Sequence, residues 1–362
     1  MSRLRVLHLV GSAVSEFYCD LSRLYARDCL ENTADPARYE FHIAYISPDK
    51  TWRFPTDLSA EAIALAHPIS LAEAIPLLEK LQIDVMVPQM FCIPGMTQYR
   101  ALFDLLKIPY VGNPAALMAL VADKAKTKAI VATAGVLVPK GQVLRAGDPL
   151  MLDFPLVIKP MDGDNSIGVT LVKDASEYDA AMQVALACSD AVLAETFIEL
   201  GREVRCGVIA RAGKLICLPL EEYALDAKIR PIRSYADKLK ENDGDLDFAA
   251  KDGTKSWIVD PHEPLTARVG AIAKRCHIAL GCRQYSLFDF RIDPQGNPWF
   301  LEAGLFCSFA KTSVLSEMTK ATGMSLATFF DEMLLAAVER RASCLDLGLP
   351  LRQTAHPLKP KV

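Results

Sequence analysis

The sequence predicts an α/β protein, an open parallel sheet at the N-terminus followed by two α+β domains. Three observations carry that reading. Short apolar runs alternate with amphipathic segments through the first third, the pattern of parallel strands joined by crossover helices. The alternation stops at Gly112-Asn113-Pro114, where an Ala-rich helical stretch begins. Long strands in the last third surround a charged segment, roughly 226–253, too long to be a simple connection. The chain has 362 residues, of which 51% are hydrophobic and 23% charged, a balance that buries cores in two or three domains.

In the first third, Val6 to Val10, Glu40 to Ile46, Asp84 to Pro88 and Ile108 to Val111 read as strands. The first turn, Gly11-Ser12-Ala13-Val14, lacks the G-x-G-x-x-G spacing that seats a dinucleotide, so the sheet is Rossmann-like but NAD is not expected. A domain boundary is placed near 113. One helix is predicted over Ala115 to Ala134, carrying Asp123, Lys124, Lys126 and Lys128 and stopping at Gly135. A compact α+β unit follows: strand Leu156 to Pro160, a polar loop through Gly168, strand Val169 to Val172, helix Ser176 to Cys188 and strand Ala191 to Glu195. Such a unit looks like half of a nucleotide clamp. Beyond it lie strands Arg205 to Ile209, Lys214 to Pro219, Tyr285 to Ile292 and Pro298 to Glu302. The domains expected are therefore 1–113, 114–200 and 201–349, with a disordered, Pro-containing basic tail at 350–362.

Composition excludes some classes of function. With 40 Lys plus Arg against 44 Asp plus Glu the net charge is -4, which argues against a general nucleic-acid binder. The longest apolar run, Ala115 to Ala122, is far short of a bilayer span, and the N-terminus reads as a first strand and not a signal peptide. Ten cysteines without a Cys-x-x-Cys pair fit reduced thiols in a cytoplasmic enzyme. Cys92, in an apolar neighbourhood, reads as core, and the six histidines lack metal-ligand spacing.

Three segments carry chemistry. Lys159-Pro160-Met161-Asp162-Gly163-Asp164-Asn165-Ser166-Ile167-Gly168 sets a lysine at a strand end before a loop whose N–H groups and hydroxyl could wrap a phosphate. In Glu195-Thr196-Phe197-Ile198-Glu199-Leu200-Gly201-Arg202-Glu203, Phe197 and Ile198 offer apolar surface and backbone amides to an adenine edge. Glu195 and Glu203 there could accept from its amine and the ribose hydroxyls. Asp289 and Glu302 lie on strands joined by Asp293-Pro294-Gln295-Gly296-Asn297, and a hairpin would bring both carboxylates to one edge. They would repel without a cation between them, and hard oxygen ligands favour Mg²⁺. No Walker A sequence is present.

Taken in order, these features resemble the ATP-grasp superfamily, and within it the D-alanine:D-alanine ligase-like branch, over about residues 4 to 335. The resemblance implies a pre-ATP-grasp domain and two α+β domains that clamp ATP. It implies that Lys124 and Lys159 hold ATP phosphates, that Ser166 is the phosphate-loop serine, and that Glu195, Phe197, Ile198 and Glu203 form the adenosine pocket. Lys238, in Tyr235-Ala236-Asp237-Lys238, is then the mobile-loop lysine that reaches the γ-phosphate. Asp289 and Glu302 match the magnesium carboxylates, Glu16 the acid that orients the first amino acid's ammonium, and Ser313 a hydroxyl near the second substrate's carboxylate.

Departures from the branch are equally specific. The dipeptide ligases carry an oxyanion-stabilising arginine two residues before the metal aspartate, where this chain has Leu287; Arg291, two residues beyond Asp289 on the same strand face, is the expected replacement. The Glu-x-Asn metal motif becomes Glu302-Ala303-Gly304, which removes one magnesium ligand, and Pro88-Gln89-Met90-Phe91-Cys92-Ile93-Pro94-Gly95-Met96 replaces a charged substrate pattern. With His8 to Ser15, Tyr285 to Arg291 and Phe300 to Leu305, these segments are similar to the mycosporine-glycine amino-acid ligases of ultraviolet-sunscreen biosynthesis, chiefly cyanobacterial. That resemblance implies ATP-dependent condensation of mycosporine-glycine with L-serine or L-threonine, no nucleic-acid or membrane partner, and a homodimer. A D-alanine:D-alanine-type ligase is the alternative, and a non-catalytic nucleotide-binding module a third reading.

Overall fold

β1 (Leu4–Gly11) organises the N-terminal third. In the computed structural model, which describes residues 3–161, 166–233, 239–242, 245–248 and 255–346, β1 pairs in parallel with β2 (Tyr39–Ile46) and with β4 (Val85–Pro88). The short β3 (Trp52–Arg53) adds an antiparallel edge, giving the order β3-β2-β1-β4. Gly11 ends β1 at φ +97°, and a Cβ there would lie 2.0 Å from the Ile46 carbonyl oxygen, so only glycine makes this turn. The chain then enters α1 (Glu16–Thr33), whose N-cap Ser15 accepts from the Tyr18 N–H; α2 (Ala60–Leu65) and α3 (Leu71–Leu81) follow, the latter with a capping box between Ser70 and Glu73. A π-helical turn, Gly95–Tyr99, runs into α4 (Arg100–Leu105).

The fourth strand expected in this sheet does not form. Ile108 to Val111 makes only a parallel bridge between Tyr110 and Met86, because Pro109 has no N–H for a ladder and the chain turns away at Gly112, φ +89°. The helix expected over Ala115 to Ala134 is two helices, α5 (Ala115–Ala122) and α6 (Lys124–Thr133). Asp123 breaks them: it is extended, at φ -87° and ψ 104°, and its carboxylate caps α6 by accepting from the Lys126 N–H at 2.9 Å.

A second sheet has the order β5-β8-β6-β7, formed from β5 (Gly141–Leu144), β6 (Leu156–Pro160), β7 (Thr170–Val172) and β8 (Val192–Thr196), with α7 (Tyr178–Leu186) packed on it. The third sheet contains β9 (Arg202–Arg211), β10 (Lys214–Cys217) and β11 (Glu221–Tyr223). A separate hairpin of β12 (Leu239–Asn242) and β13 (Asp245–Phe248) lies in the charged segment, its second strand against α1. β14 (Ser256–Ile258), β15 (Tyr285–Ile292) and β16 (Pro298–Gly304) complete the third sheet in the order β14-β11-β9-β15-β16, and α8 (Pro264–Leu280) covers it. The last helices are α9 (Val314–Ala321) and α10 (Leu326–Asp346). α10 buries Phe330, Met333, Leu334 and Ala337 in one core with Val6 and Val85 of the first sheet. Among the described residues no single helix is long and apolar enough to cross a membrane. The expected disordered tail falls outside the described residues.

Asn113 ties the first sheet to the third. Its amide donates to the Tyr285 carbonyl at 2.8 Å and the Leu305 carbonyl at 3.1 Å, while its side-chain oxygen accepts from the Arg283 N–H at 2.7 Å. A second tie runs through Gln89, whose amide donates to the Ser308 carbonyl and whose oxygen lies 3.0 Å from His8 Nδ1.

Burial pushes His8 down to about 4, and His277, which faces Ser286 at 2.8 Å, down to about 4 as well. Both fold as neutral rings and must bind a proton only after unfolding, so stability is lost as pH falls from about 6.5 through 4. Up to about 3 kcal/mol per histidine is expected over that window. In urea titrations the wild type should lose stability relative to His277→Asn as pH falls from 7 to 4; parallel curves would contradict the neutral buried ring.

Candidate active site

Two sheets face each other across a cleft of about 780 Å³, open mouth included, lined by Lys124, Lys159, Ser166, Glu195, Ile198, Glu203, Asp289, Arg291 and Glu302 among others. That is large enough for a nucleotide. Nine of the residues singled out in the sequence therefore share one cavity.

Its first wall is built by β6, β8 and α6. Glu195 and Val157 are register partners, so Glu195 and Lys159 project from the same face of this sheet. The buried Glu195 carboxylate is gripped from both sides, by Lys159 Nζ at 2.5 Å and by Lys128 Nζ at 2.6 Å from α6. Burial alone would raise the Glu195 pKa, but the two ammonium groups outweigh it and hold the carboxyl below its ordinary value. Lys128 is pulled down to about 8, first by burial, with Glu195 resisting and Lys159 assisting. Glu195 was expected to accept from an adenine amine; its carboxylate instead organises the two lysines. Lys124 starts α6 with Nζ 3.4 Å from the Met161 carbonyl, and Ser166 opens a turn at φ 62°.

The second wall is the third sheet. Register places Glu221, Arg205, Asp289 and Glu302 side by side across β11, β9, β15 and β16, all on one face. The expected hairpin pair, Asp289 opposite Glu302, is thus formed. Asp289 Oδ1 accepts from Arg205 Nε at 2.6 Å and Oδ2 from Arg233 Nη2. Glu203, expected in the adenosine pocket, is ion-paired with Arg233 Nε at 2.7 Å and Arg291 Nη2 at 2.5 Å, which keep its carboxyl below its ordinary value against burial. Arg291 also donates to the carbonyls of Ile198 at 3.1 Å and Pro231 at 2.8 Å. With this many acceptors it is not the free oxyanion donor expected in place of Leu287.

Other assignments also shift. The Phe197 N–H donates to the Pro155 carbonyl at 3.0 Å, so this amide is not presented to a base edge as expected, and the ring lies 5.4 Å from the Arg291 guanidinium. Glu16 is exposed in the first turn of α1 and Ser313, the N-cap of α9, is bonded to Ser316 at 2.7 Å; neither lines the cleft. Lys238 lies outside the described residues. Sequence reasoning missed Lys128, Arg205 and Arg233. Arg205 was recoverable from strand periodicity, two residues after Glu203 on the same face; Arg233, outside any regular element, left no local signal.

The donor chemistry suits a hard cation. Two carboxylates stand in register beside lysines fit for phosphate, and Mg²⁺ is commonly held by one or two carboxylates plus phosphate oxygens. Among the described residues no group of three or more His, Cys, Asp or Glu could hold a metal without such help.

Residues 146–335 match the family model of the D-ala D-ala ligase C-terminus, more than half of the chain. The chain belongs to the D-alanine–D-alanine ligase family. D-alanine–D-alanine ligase of Citrifermentans bemidjiense is 30% identical over 246 residues, 66% of this chain and 73% of the relative, and that of Halalkalibacterium halodurans is 32% identical over 243 residues, 65% and 74%. Among solved structures, VanG D-Ala:D-Ser ligase of Enterococcus faecalis superposes with a TM-score of 0.73 at 21% identity, over 93% of this chain and 100% of that one. The ligase of Coxiella burnetii gives 0.74 at 19% identity, over 96% and 97%. The fold is therefore ATP-grasp, and this family member is an ATP-dependent ligase.

Because Glu195 neutralises two buried ammonium groups, Glu195→Gln should cost about 3–5 kcal/mol of stability in chemical denaturation at pH 7. An unchanged midpoint would mean that the three side chains do not form this cluster.

Proposed function

We propose that the protein is an amino-acid ligase of the D-alanine:D-alanine type, which activates one substrate as a phosphate with ATP and joins it to the amine of another, releasing ADP and phosphate. The observation that carries this reading is the single cleft in which Lys124, Lys159 and Ser166 face Asp289 and Glu302. In it the lysines and Ser166 bind the phosphates, Ile198 lines the base side, and Asp289 with Glu302 holds Mg²⁺. The metal would supply charge neutralisation to the transferring phosphoryl group. Lys128 and Glu195 fix Lys159 in place, and Arg205 and Arg233 position Asp289. The divisions at 113 and 200 fit this reading, with the metal carboxylates in 201–349; Lys238 as a γ-phosphate residue and Glu16 and Ser313 as substrate contacts remain part of it, as does a homodimer.

A second reading, a mycosporine-glycine ligase acting with L-serine or L-threonine, is favoured by one observation. Leu287 and Gly304, two of the departures from the family pattern, are direct register partners on the hairpin, so a guanidinium and an amide have been replaced together by an apolar patch. A Cβ on Gly304 would meet only Leu287, at 3.9 Å, so packing does not require the glycine. Beyond this hairpin, Phe306 packs on Phe91 at 5.6 Å and Phe91 on Tyr25 at 5.2 Å, an aromatic wall that suits a ring better than alanine. In this chemistry the enaminone oxygen attacks the γ-phosphorus and ADP leaves; the amine then adds at that carbon, phosphate departs with the oxygen, and loss of a proton gives the imine.

Incubation with Mg-ATP and either D-alanine alone or mycosporine-glycine plus L-serine or L-threonine decides between them, read as ADP, product mass and absorption maximum. A dipeptide with ADP supports the first reading; a red-shifted product of imine mass with ADP supports the second. AMP and pyrophosphate as products would overturn both.

A further inference from the structure

Arg205, Asp289, Arg233, Glu203 and Arg291 form one chain of alternating charge, three guanidiniums against two carboxylates, buried in all but Arg205, which is half-buried. Asp289 has both oxygens engaged, one by Arg205 and one by Arg233. The two arginines differ in how they are held. Arg205 is locked into β9 between Glu221 and Asp289 and does not line the cleft. Arg233 lies outside every strand, lines the cleft, and rests with its guanidinium 4.2 Å from the Tyr223 ring centroid. Its ion-pair partners are Glu203 and Asp289.

Each Asp289 oxygen keeps a second lone pair, but a divalent cation brought onto a carboxylate already held by two guanidiniums meets like charge from both, which favours release of the less firmly held one. We propose that Arg233 exchanges partners: it stands in the metal's place on Asp289 until Mg²⁺ enters with the nucleotide, then turns onto a phosphate oxygen in the same cleft. Glu203 and the Tyr223 face retain the arm while the fork changes acceptor, so the move is a side-chain rotation over a fixed base. Arg233 is thereby a phosphate-binding residue that also holds a metal ligand in position beforehand. The inference rests on the reading of the cleft as a Mg-nucleotide site.

The test measures binding, not turnover. Mn²⁺ is titrated into the protein and followed by electron paramagnetic resonance, and metal-free ADP is titrated calorimetrically. Removing the competing cation in Arg233→Met should tighten Mn²⁺ by about tenfold and weaken ADP by at least about fivefold, while Arg233→Lys should restore much of the ADP affinity. Both affinities at wild-type values in a folded Arg233→Met protein would overturn the proposal. If that variant does not fold, wild-type protein labelled with ¹⁵N-arginine gives the answer: the Arg233 Nε–H resonance, assigned through Arg233→Lys, should move on saturation with Mg-ADP and not with ADP-free buffer. A resonance that stays in place under Mg-ADP would also overturn it. Failure of the wild type to bind Mg-ADP at all would sink the nucleotide reading itself, a different outcome from an unmoved arginine.

Discussion

A buried carboxylate must be compensated, and Asp289 in the middle of the third sheet sets the terms on which this protein is built. Its strand neighbour Arg205 and the more loosely tethered Arg233 provide that compensation, Arg233 draws in Glu203, and Glu203 draws in Arg291. The facing sheet solves the same problem in the same way, with one carboxylate between two lysines. Each wall is thus neutralised mainly within itself. Side chains that sequence reading placed on the ligand turn out to hold other side chains, which is how rigid sites are commonly supported.

The junction between the first and third sheets follows the same economy of partners. Asn113, at the point where the alternating pattern ends, bonds to three backbone groups of the third sheet's side of the molecule, and Gln89 bonds across to Ser308. Polar groups buried between sheets are fully directional, so they fix the angle at which the first sheet meets the site as well as its distance. Leu287 is buried on this same inner side, in one core with Val6, Val85 and Val111.

Much of the fold was legible because strands announce themselves by period. β1, β2, β6, β15 and β16 were read within a few residues of their ends, and the hairpin that opposes Asp289 to Glu302 followed from a turn of recognisable chemistry. Ile108 to Val111 looked equally like a strand, yet Pro109 denies it a ladder; Asp123 divides a helix because its side chain competes for a backbone N–H. In the site, residue type and order were enough to gather nine side chains into one cleft, but not to say which of them touch a ligand. Glu195, Glu203 and Arg291 have partners from distant segments, Lys128, Arg233 and Ile198 among them, and such long-range pairings leave no trace in local spacing. Arg233 shows the limit most plainly, since nothing around it in the sequence distinguishes it from an ordinary surface arginine.

α10 supplies the aromatic floor of the first sheet: Phe330 stacks on His8 at 6.2 Å, and Tyr39 donates to Asp331 at 2.7 Å. A strand near residue 8 is therefore completed by a helix near residue 330. Val6, Tyr39, Val85 and Val87 on the inner face of the first sheet are buried against Phe329, Phe330, Met333 and Leu334, with the second and third sheets lying between them in sequence. The docking of α10 is thus a closure of very long range, the kind whose entropic cost slows folding more than it limits final stability.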